Sequence, residues 1–514
     1  ATAKAAKILA SRADILDRNG RILATNIDTH ALYAHPRQLI DPEGTARQLA
    51  EIFPDINVEK MAARLSGPQE FLWLKPAISP EEKQAVHDIG EPGLLFGPRE
   101  MRLYPNGQLA GHILGGTTFG AQGVHSAEVI GMAGVEKAFD TFLRDPRFDG
   151  QPLQLSIDLT VQSALEEALY GGMRLMNAKG ASAVLMDAYS GEVVSLSSLP
   201  DFDPNNRPRP LTQGDASDSA LFNRAVQGVY ELGSAFKAFT VAQAMDLGLV
   251  EPGSMVDTKG PLRWGKHKIN DYRDYGAQMS VEKVLIKSSN IGTARLSLMI
   301  GAELQKDFLD RLGLLQATPI EVIEGPTGRP QYPSNWSDIS TMTISYGHGI
   351  STSPVHLAAG YAAIVNGGTL VKPTLLKQPA LPRGARIISE KTSRDLRSMM
   401  RRVVTEGTAN MGDVPGYSVA GKTGTADKPS PQGGYYKDKV LATFASFFPS
   451  TDPRYVLIVT LDEPEDRTGP EPRRTAGATA VPVAAEIIRR VAPLLGIAPE
   501  IEPTLQNGLT LANN

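Results

Sequence analysis

Three short polar clusters lie far apart in this chain and restrict its fold more than any other feature. They are Ser234-Ala-Phe-Lys237, Ser288-Ser289-Asn290 and Lys422-Thr423-Gly424-Thr425, and their leading residues are 54 and 134 positions apart (288 − 234 and 422 − 288). If they serve one site, the fold must bring a helix start, an interruption in an apolar run and a strand into one cleft. Taken singly, each has a plain explanation. Ser-x-x-Lys is most often an N-cap with a solvated lysine, and Ser-x-Asn is most often a capped loop between helices.

Taken together they fit a specific chemistry. A serine hydroxyl is a poor nucleophile at neutral pH, so it needs a nearby base and donors aimed at the oxyanion that forms on attack. A helix over 234–247 places Ser234 and Lys237 one turn apart on one face. Its N-terminus supplies free N–H groups and a field that favours an oxyanion and disfavours an ammonium. Burial among Phe236 and Phe239 would lower Lys237 further and make it a base. Ser288 and Asn290 interrupt the apolar stretch Val284 to Ala294, where unpartnered polar groups are costly. A hydroxyl there can relay a proton, and an amide can both donate to and accept from a peptide.

The third cluster has two readings. Gly416-Tyr-Ser-Val-Ala-Gly421-Lys422-Thr423 formally matches a phosphate-binding P-loop, and Val456 to Asp462 resembles the accompanying acidic strand. A P-loop must lead into a helix whose N–H groups meet the phosphates. Here Ala-Asp-Lys-Pro-Ser-Pro-Gln-Gly-Gly follows Thr425, which cannot start one. As an edge strand the segment works differently. Gly424 would let an extended substrate lie close, Lys422, Thr423 and Thr425 would hold a terminal carboxylate, and the Thr425 N–H would join that of Ser234 in an oxyanion hole. The expected ligand is then a peptide with a free C-terminus.

Other chemistries lack support. There are no cysteines, which removes thiolate metal sites, disulfides and a cysteine nucleophile. None of the eight histidines forms a zinc-hydrolase pattern and no Gly-x-Ser-x-Gly elbow occurs, so neither metal nor cofactor is expected. His348, in Tyr346-Gly-His-Gly349, reads as structural. A net charge of −4 without a basic block gives no reason to expect nucleic acid. No apolar run is long enough to span a bilayer. The chain opens at Ala1 without a signal sequence, so an upstream segment is expected to have been removed or left out.

At 514 residues, with 41% hydrophobic and 21% charged residues, the chain suggests at least two globular domains. Asp17-Arg18-Asn19-Gly20 predicts a hairpin tip, 45–53 and 58–65 predict helices, and 90–123 reads as loops without confident strands. Asp145 to Pro152 reads as a linker, dividing a domain over 1–150 from a larger one over 151–500 and a tail over 501–514. In the larger domain, strands are expected at 182–186, 192–196, 417–424, 440–448 and 455–461. Helices are expected at 159–169, 234–247, 281–299, 354–365, 393–404 and 481–495. Strands at both ends with helices between imply an α+β domain whose termini share one sheet.

The ordered trio Ser-x-x-Lys, Ser-x-Asn and Lys-Thr-Gly resembles the penicillin-binding proteins. Ser11 to Ala24, Arg102-Leu-Tyr-Pro105, His112 to Gly115 and Gly131 to Glu136 resemble the pedestal of their class B members. The segments at 346–354, 433–436 and 459–464 are most similar to the division, FtsI-like, type. Two departures are Leu232, where proline is common, and His348, where tyrosine is usual. The resemblance implies a serine β-lactamase-like transpeptidase domain with an antiparallel sheet, preceded by an elongated β-containing pedestal. It implies Ser234 as nucleophile, Lys237 as base, Ser288 as relay, Asn290 as substrate clamp, Lys422 and Thr423 as carboxylate ligands and Thr425 in the oxyanion hole. The implied substrates are peptidoglycan stem peptides on strands derived from lipid II, with β-lactams as acylating inhibitors. The implied setting is the periplasmic side of the inner membrane, behind a single N-terminal anchor, with an FtsW-type glycosyltransferase and other division proteins as partners. An elongation-type transpeptidase, a D,D-carboxypeptidase or β-lactamase, a P-loop NTPase and a non-enzymatic scaffold are the competing readings.

Overall fold

The computed structural model describes residues 11–122, 127–148, 150–381 and 384–500; the tail expected at 501–514 lies outside them. The chain opens with β1 (Ile15–Leu16) and β2 (Ile22–Ala34), joined by the turn read from the sequence. The Asp17 carboxylate accepts from the N–H groups of Asn19 and Arg21 at 2.8 and 2.9 Å, and Gly20 takes the left-handed φ of 84° that closes the turn. Next come α1 (Pro42–Ile52), α2 (Val58–Leu65), β3 (Leu72–Ile78), α3 (Pro80–Asp88) and β4 (Leu94–Leu103). Asp41, Asn57 and Ser79 cap the three helices. Their apolar faces close a small core on β2 around Leu32, Leu49, Phe53 and Leu65.

β4 corrects the reading of 90–123 as loops. It pairs with β2 along its whole length, and α4 (Gly111–Leu114) and β5 (Gly116–Gln122) follow. The apolar alternation was invisible because buried positions of β4 carry arginines. Arg99 stacks on Trp73, and Arg102 donates to the buried Glu136 at 2.7 Å. Pro98 is tolerated because β4 bonds on one side, to β2.

β6 (Ala127–Ala133), α5 (Gly134–Ala138) and α6 (Asp140–Arg144) complete this part. Arg12 and Arg102 both donate to Glu136 at 2.7 Å, and the Tyr104 hydroxyl reaches it at 3.2 Å. Three of the segments that carry the resemblance, at 11–24, 102–105 and 131–136, therefore meet on one buried carboxylate.

The stretch expected as a linker makes one tight turn at Pro146–Phe148 and becomes β7 (Leu153–Gln154), parallel to β1. Then follow α7 (Leu159–Leu175), β8 (Gly180–Asp187), β9 (Val193–Leu199) and α8 (Lys237–Asp246). Four short strands come next, β10 (Met255–Asp257), β11 (Leu262–Trp264), β12 (His267–Ile269) and β13 (Gln278–Ser280). The helical middle comprises α9 (Val281–Lys287), α10 (Asn290–Ile300), α11 (Ala302–Arg311), α12 (Asp338–Ser345), α13 (Pro354–Val365) and α14 (Glu390–Glu406). The chain returns to the sheet as β14 (Ala420–Pro429), β15 (Tyr435–Phe448) and β16 (Tyr455–Asp462), and ends in α15 (Ala480–Leu494).

Strand order is β14-β15-β16-β8-β9, antiparallel throughout, so the two ends of the domain share one sheet as the sequence implies. β16 and β9 are buried along their whole length: α15 and the wholly buried α13 pack on β16, and α7 packs on β9.

Of the boundaries that differ from expectation, two lie at the three clusters. The single helix expected over 281–299 is broken at Ser288, which has the left-handed φ of 63°, and Ser289 restarts the chain as α10 by accepting the Gly292 N–H at 2.9 Å. The strand expected at 417–424 begins only at Ala420, after Ser418 takes a φ of 43°, and runs on through Pro429 paired with β15. Polar residues 427–429 therefore extend the strand. The P-loop reading fails here, since Lys422-Thr423 leads into a hairpin rather than a helix.

Candidate active site

Ser234 lies on the short 3-10 turn Gly233–Phe236 that runs directly into α8, whose first residue is Lys237. Ser234 is half-buried and Lys237 fully buried. The Lys237 Nζ donates to the Ser288 carbonyl at 2.6 Å and to its Oγ at 3.0 Å. From the opposite wall Lys422 Nζ donates to the same Oγ at 2.9 Å and to the Thr423 carbonyl at 3.1 Å. Residues 237, 288 and 422, one from each cluster, thus meet on one hydroxyl.

Their electrostatics follow from burial. Desolvation holds Lys237 well below the usual lysine range, the charge of Lys422 pushes the same way, and Asp271 opposes. Burial brings Lys422 down to about 7. Two buried amines that share one hydroxyl cannot both carry a proton cheaply, and both burial and the charge of Lys422 favour the neutral form of Lys237. A neutral amine beside a helix N-terminus can take the proton of a serine hydroxyl.

The Ser288 turn is held from behind by two residues that sequence reasoning missed. Asp271 accepts from Ser289 Oγ at 2.7 Å and from the Ile291 N–H at 3.0 Å, and the Asn270 carbonyl accepts from Asn290 Nδ2 at 2.9 Å. Both come from the loop between β12 and β13, where no spacing ties them to Ser-x-Asn.

β14 packs on the serine turn backbone to backbone. A Cβ on Gly424 would lie 2.1 Å from the Leu232 carbonyl oxygen and 3.2 Å from the Ala235 nitrogen, so the missing side chain makes room for the nucleophile's turn. This corrects the expectation that Gly424 leaves space for substrate. A Cβ on Gly233 would lie 2.8 Å from the Thr425 carbonyl oxygen and 3.3 Å from its nitrogen, which puts the Thr425 backbone beside Ser234. The Thr425 Oγ1 accepts from the Ala476 N–H at 2.9 Å, leaving its own proton to donate. Thr423 Oγ1 is 2.6 Å from Thr408 Oγ1. His348 Nδ1 lies 3.2 Å from Glu231.

Comparison with known proteins identifies the family. Residues 181–489 match the penicillin-binding protein transpeptidase domain, and residues 7–146 match the penicillin-binding protein dimerisation domain. The chain belongs to the class B penicillin-binding proteins. Among their FtsI-type members, it is 35% identical to the probable peptidoglycan D,D-transpeptidase FtsI of Caulobacter vibrioides, over 96% of this chain and 82% of that one. Identity is 30% to the peptidoglycan D,D-transpeptidase FtsI of Escherichia coli K12, over 96% and 85%. It is 31% to the probable peptidoglycan D,D-transpeptidase PenA of Neisseria meningitidis serogroup A, over 95% and 85%. Penicillin-binding protein 3 of Mycobacterium tuberculosis, solved with aztreonam, superposes with a TM-score of 0.71 at 25% identity, covering 96% of this chain and 98% of that one. This class B protein is accordingly a serine-type acyl-transfer enzyme with an α+β transpeptidase domain and an N-terminal pedestal. Among the described residues no helix is long and apolar enough to cross a membrane.

Proposed function

We propose that this chain is a peptidoglycan D,D-transpeptidase of the division type, acting through an acyl-serine intermediate. The observation that carries the reading is the Ser288 hydroxyl held between Lys237 at 3.0 Å and Lys422 at 2.9 Å, behind the turn that bears Ser234. Neutral Lys237 takes the Ser234 proton as Oγ attacks the penultimate D-Ala carbonyl. The N–H groups of Ser234 and Thr425 hold the oxyanion. Lys422, Thr423 and Thr425 hold the terminal carboxylate, Gly424 keeps their strand against the serine turn, and Asn290 clamps the peptide. As the tetrahedral adduct collapses, the C–N bond breaks, the proton returns through Ser288 to the leaving amine, and D-Ala departs. A side-chain amine of a neighbouring stem then attacks the acyl-enzyme, loses its proton by the reverse route, and leaves a new amide with Ser234 free.

A β-lactam acylates the same serine and has no leaving group to lose. A carboxypeptidase would replace the acceptor amine with water. The names of the similar proteins favour the transpeptidase and the division role over the elongation role. By the same family resemblance we propose a setting on the periplasmic side of the inner membrane, with a single N-terminal anchor and an FtsW-type partner. The pedestal is assigned to 1–150 and the catalytic domain to 151–500.

The test supplies polymerised lipid II with its stem peptides and reads both products. Cross-linked dimers and free D-Ala, both abolished by penicillin, are expected. D-Ala without dimers would make the chain a carboxypeptidase, and neither product would refute acyl transfer.

A further inference from the structure

The residue that enters the serine turn, Glu231, has a carboxylate that the mechanism above does not use. Its side chain is only 11% exposed, and it takes three partners from two other segments of the chain. The Gly349 N–H donates at 2.8 Å, the Tyr435 hydroxyl lies 3.1 Å from both carboxylate oxygens, and His348 Nδ1 is 3.2 Å away. Burial alone would raise this carboxyl, but the bonds from His348, Gly349 and Tyr435 outweigh it and hold the pKa below the ordinary value. Tyr435 is pushed up to about 12 by burial and by Glu231, so it donates rather than ionises.

The three segments are the ones that shape the cleft. Glu231 is three residues before Ser234. Gly347 packs so closely on the serine turn that a Cβ there would lie 2.0 Å from the Gly233 carbonyl oxygen. Tyr435 opens β15 opposite Pro429, the last residue of the strand that carries Lys422 to Thr425. The rings of Tyr346, His348 and Tyr435 meet edge to face at 5.5 and 6.2 Å, closing the cluster on its outer side.

We propose that Glu231 is a positioning residue for acyl transfer: its carboxylate is a shared acceptor that locks the serine turn, the Gly347–Gly349 turn and the β14–β15 hairpin together, setting the gap between Ser234 and the carboxylate-binding strand. The inference rests on the transpeptidase reading. Reaction rates are steep in that gap, because a misplacement of about 1 Å can cost about 100-fold. Glutamine fills the same space but offers one acceptor oxygen in place of two and turns an NH2 toward the donors.

The test follows acylation by a fluorescent penicillin in rapid mixing, separating the first-order acylation constant from the binding constant that precedes it. Glu231→Gln should lower the acylation constant by about 10-fold or more and leave binding within about threefold, the split expected for a group that acts on the reacting geometry. Tyr435→Phe should lower it by about threefold, and the double variant should be no slower than Glu231→Gln alone, since both remove one linkage. Glu231→Gln within twofold of wild type would overturn the proposal, as would losses that simply multiply in the double variant. Should Glu231→Gln fail to fold, Tyr435→Phe decides: an unchanged acylation constant overturns the proposal. A folded wild type that is never acylated would instead refute the transpeptidase reading, and the proposal with it.

Discussion

Removing the Lys422 amine is the most informative perturbation of this site, because it acts on Lys237 through space. Both amines bond the same Ser288 oxygen, at 3.0 and 2.9 Å, so they are no more than about 5.9 Å apart (3.0 plus 2.9 Å). At an effective dielectric of about 20, two positive charges at that distance repel by about 3 kcal/mol, or roughly 100-fold in an equilibrium. Burial is the larger cause that lowers Lys237, and Lys422 adds to it. The neutral amine is the working form, so acylation falls as pH drops through the Lys237 pKa. In Lys422→Gln that pKa rises, and the acid limb of the pH profile moves to higher pH. Because Lys422 carries its charge mainly below about pH 7, on that part of the limb the acylation constant should fall by up to about 100-fold at fixed pH and recover as the pH is raised. Loss of the carboxylate contact should appear separately, as weaker binding at every pH. Stopped-flow acylation with a fluorescent penicillin across pH 6 to about 10 reads both constants. A loss in the acylation constant that is the same at every pH would refute the coupling of the two lysines.

Ser288→Ala should behave differently, with an acylation constant about 100-fold lower that does not recover at high pH, because the relay itself is gone. Gly424→Ala would set a methyl 2.1 Å from the Leu232 carbonyl oxygen, and should cost at least about 2 kcal/mol in denaturant unfolding and most of the acylation rate. In the pedestal, Glu136→Gln leaves Arg12 and Arg102 sharing a neutral partner, and should cost about 3 kcal/mol in the same unfolding assay. Glu166, held by Gln162 and the Ala110 N–H, is raised by burial to about 7. Its folded state therefore keeps a proton that the unfolded chain gives up near 4.5, and stability falls as pH rises from there through about 7. Glu166→Gln should stabilise the protein by about 3 kcal/mol at pH 8 relative to its effect at pH 4, and an equal effect at both would contradict the assignment.

Features set by local signals could be read from the chain. The hairpin tip at 17–20, α2 and α13 each follow a turn or cap that their own residues dictate, Asn57 for α2 and Ser353 with Pro354 for α13. β4 lacks a clear alternation because two of its four buried positions are arginines whose partners, Trp73 and Glu136, come from distant segments. Within the site, the three clusters supply the hydroxyl of Ser288 and both amines that donate to it, Lys237 and Lys422. The helix break at Ser288 shows in the sequence only as a polar interruption, since its left-handed backbone depends on Lys237 and Lys422 arriving from elsewhere. Asp271 and Glu231 had no signal, because each acts through loop partners at no fixed spacing. Gly424 was singled out for the wrong neighbour: the strand approaches the Leu232 carbonyl there, a contact visible only once the strand and the serine turn are folded together.

The central claim is that Ser234 is the acylated nucleophile. Intact mass of the protein after incubation with benzylpenicillin, followed by peptide mapping, tests it most directly. One stable adduct is expected on the wild type, on the peptide that contains Ser234, and none on Ser234→Ala. An adduct that persists in Ser234→Ala, or a folded wild type that acquires none, would contradict the account.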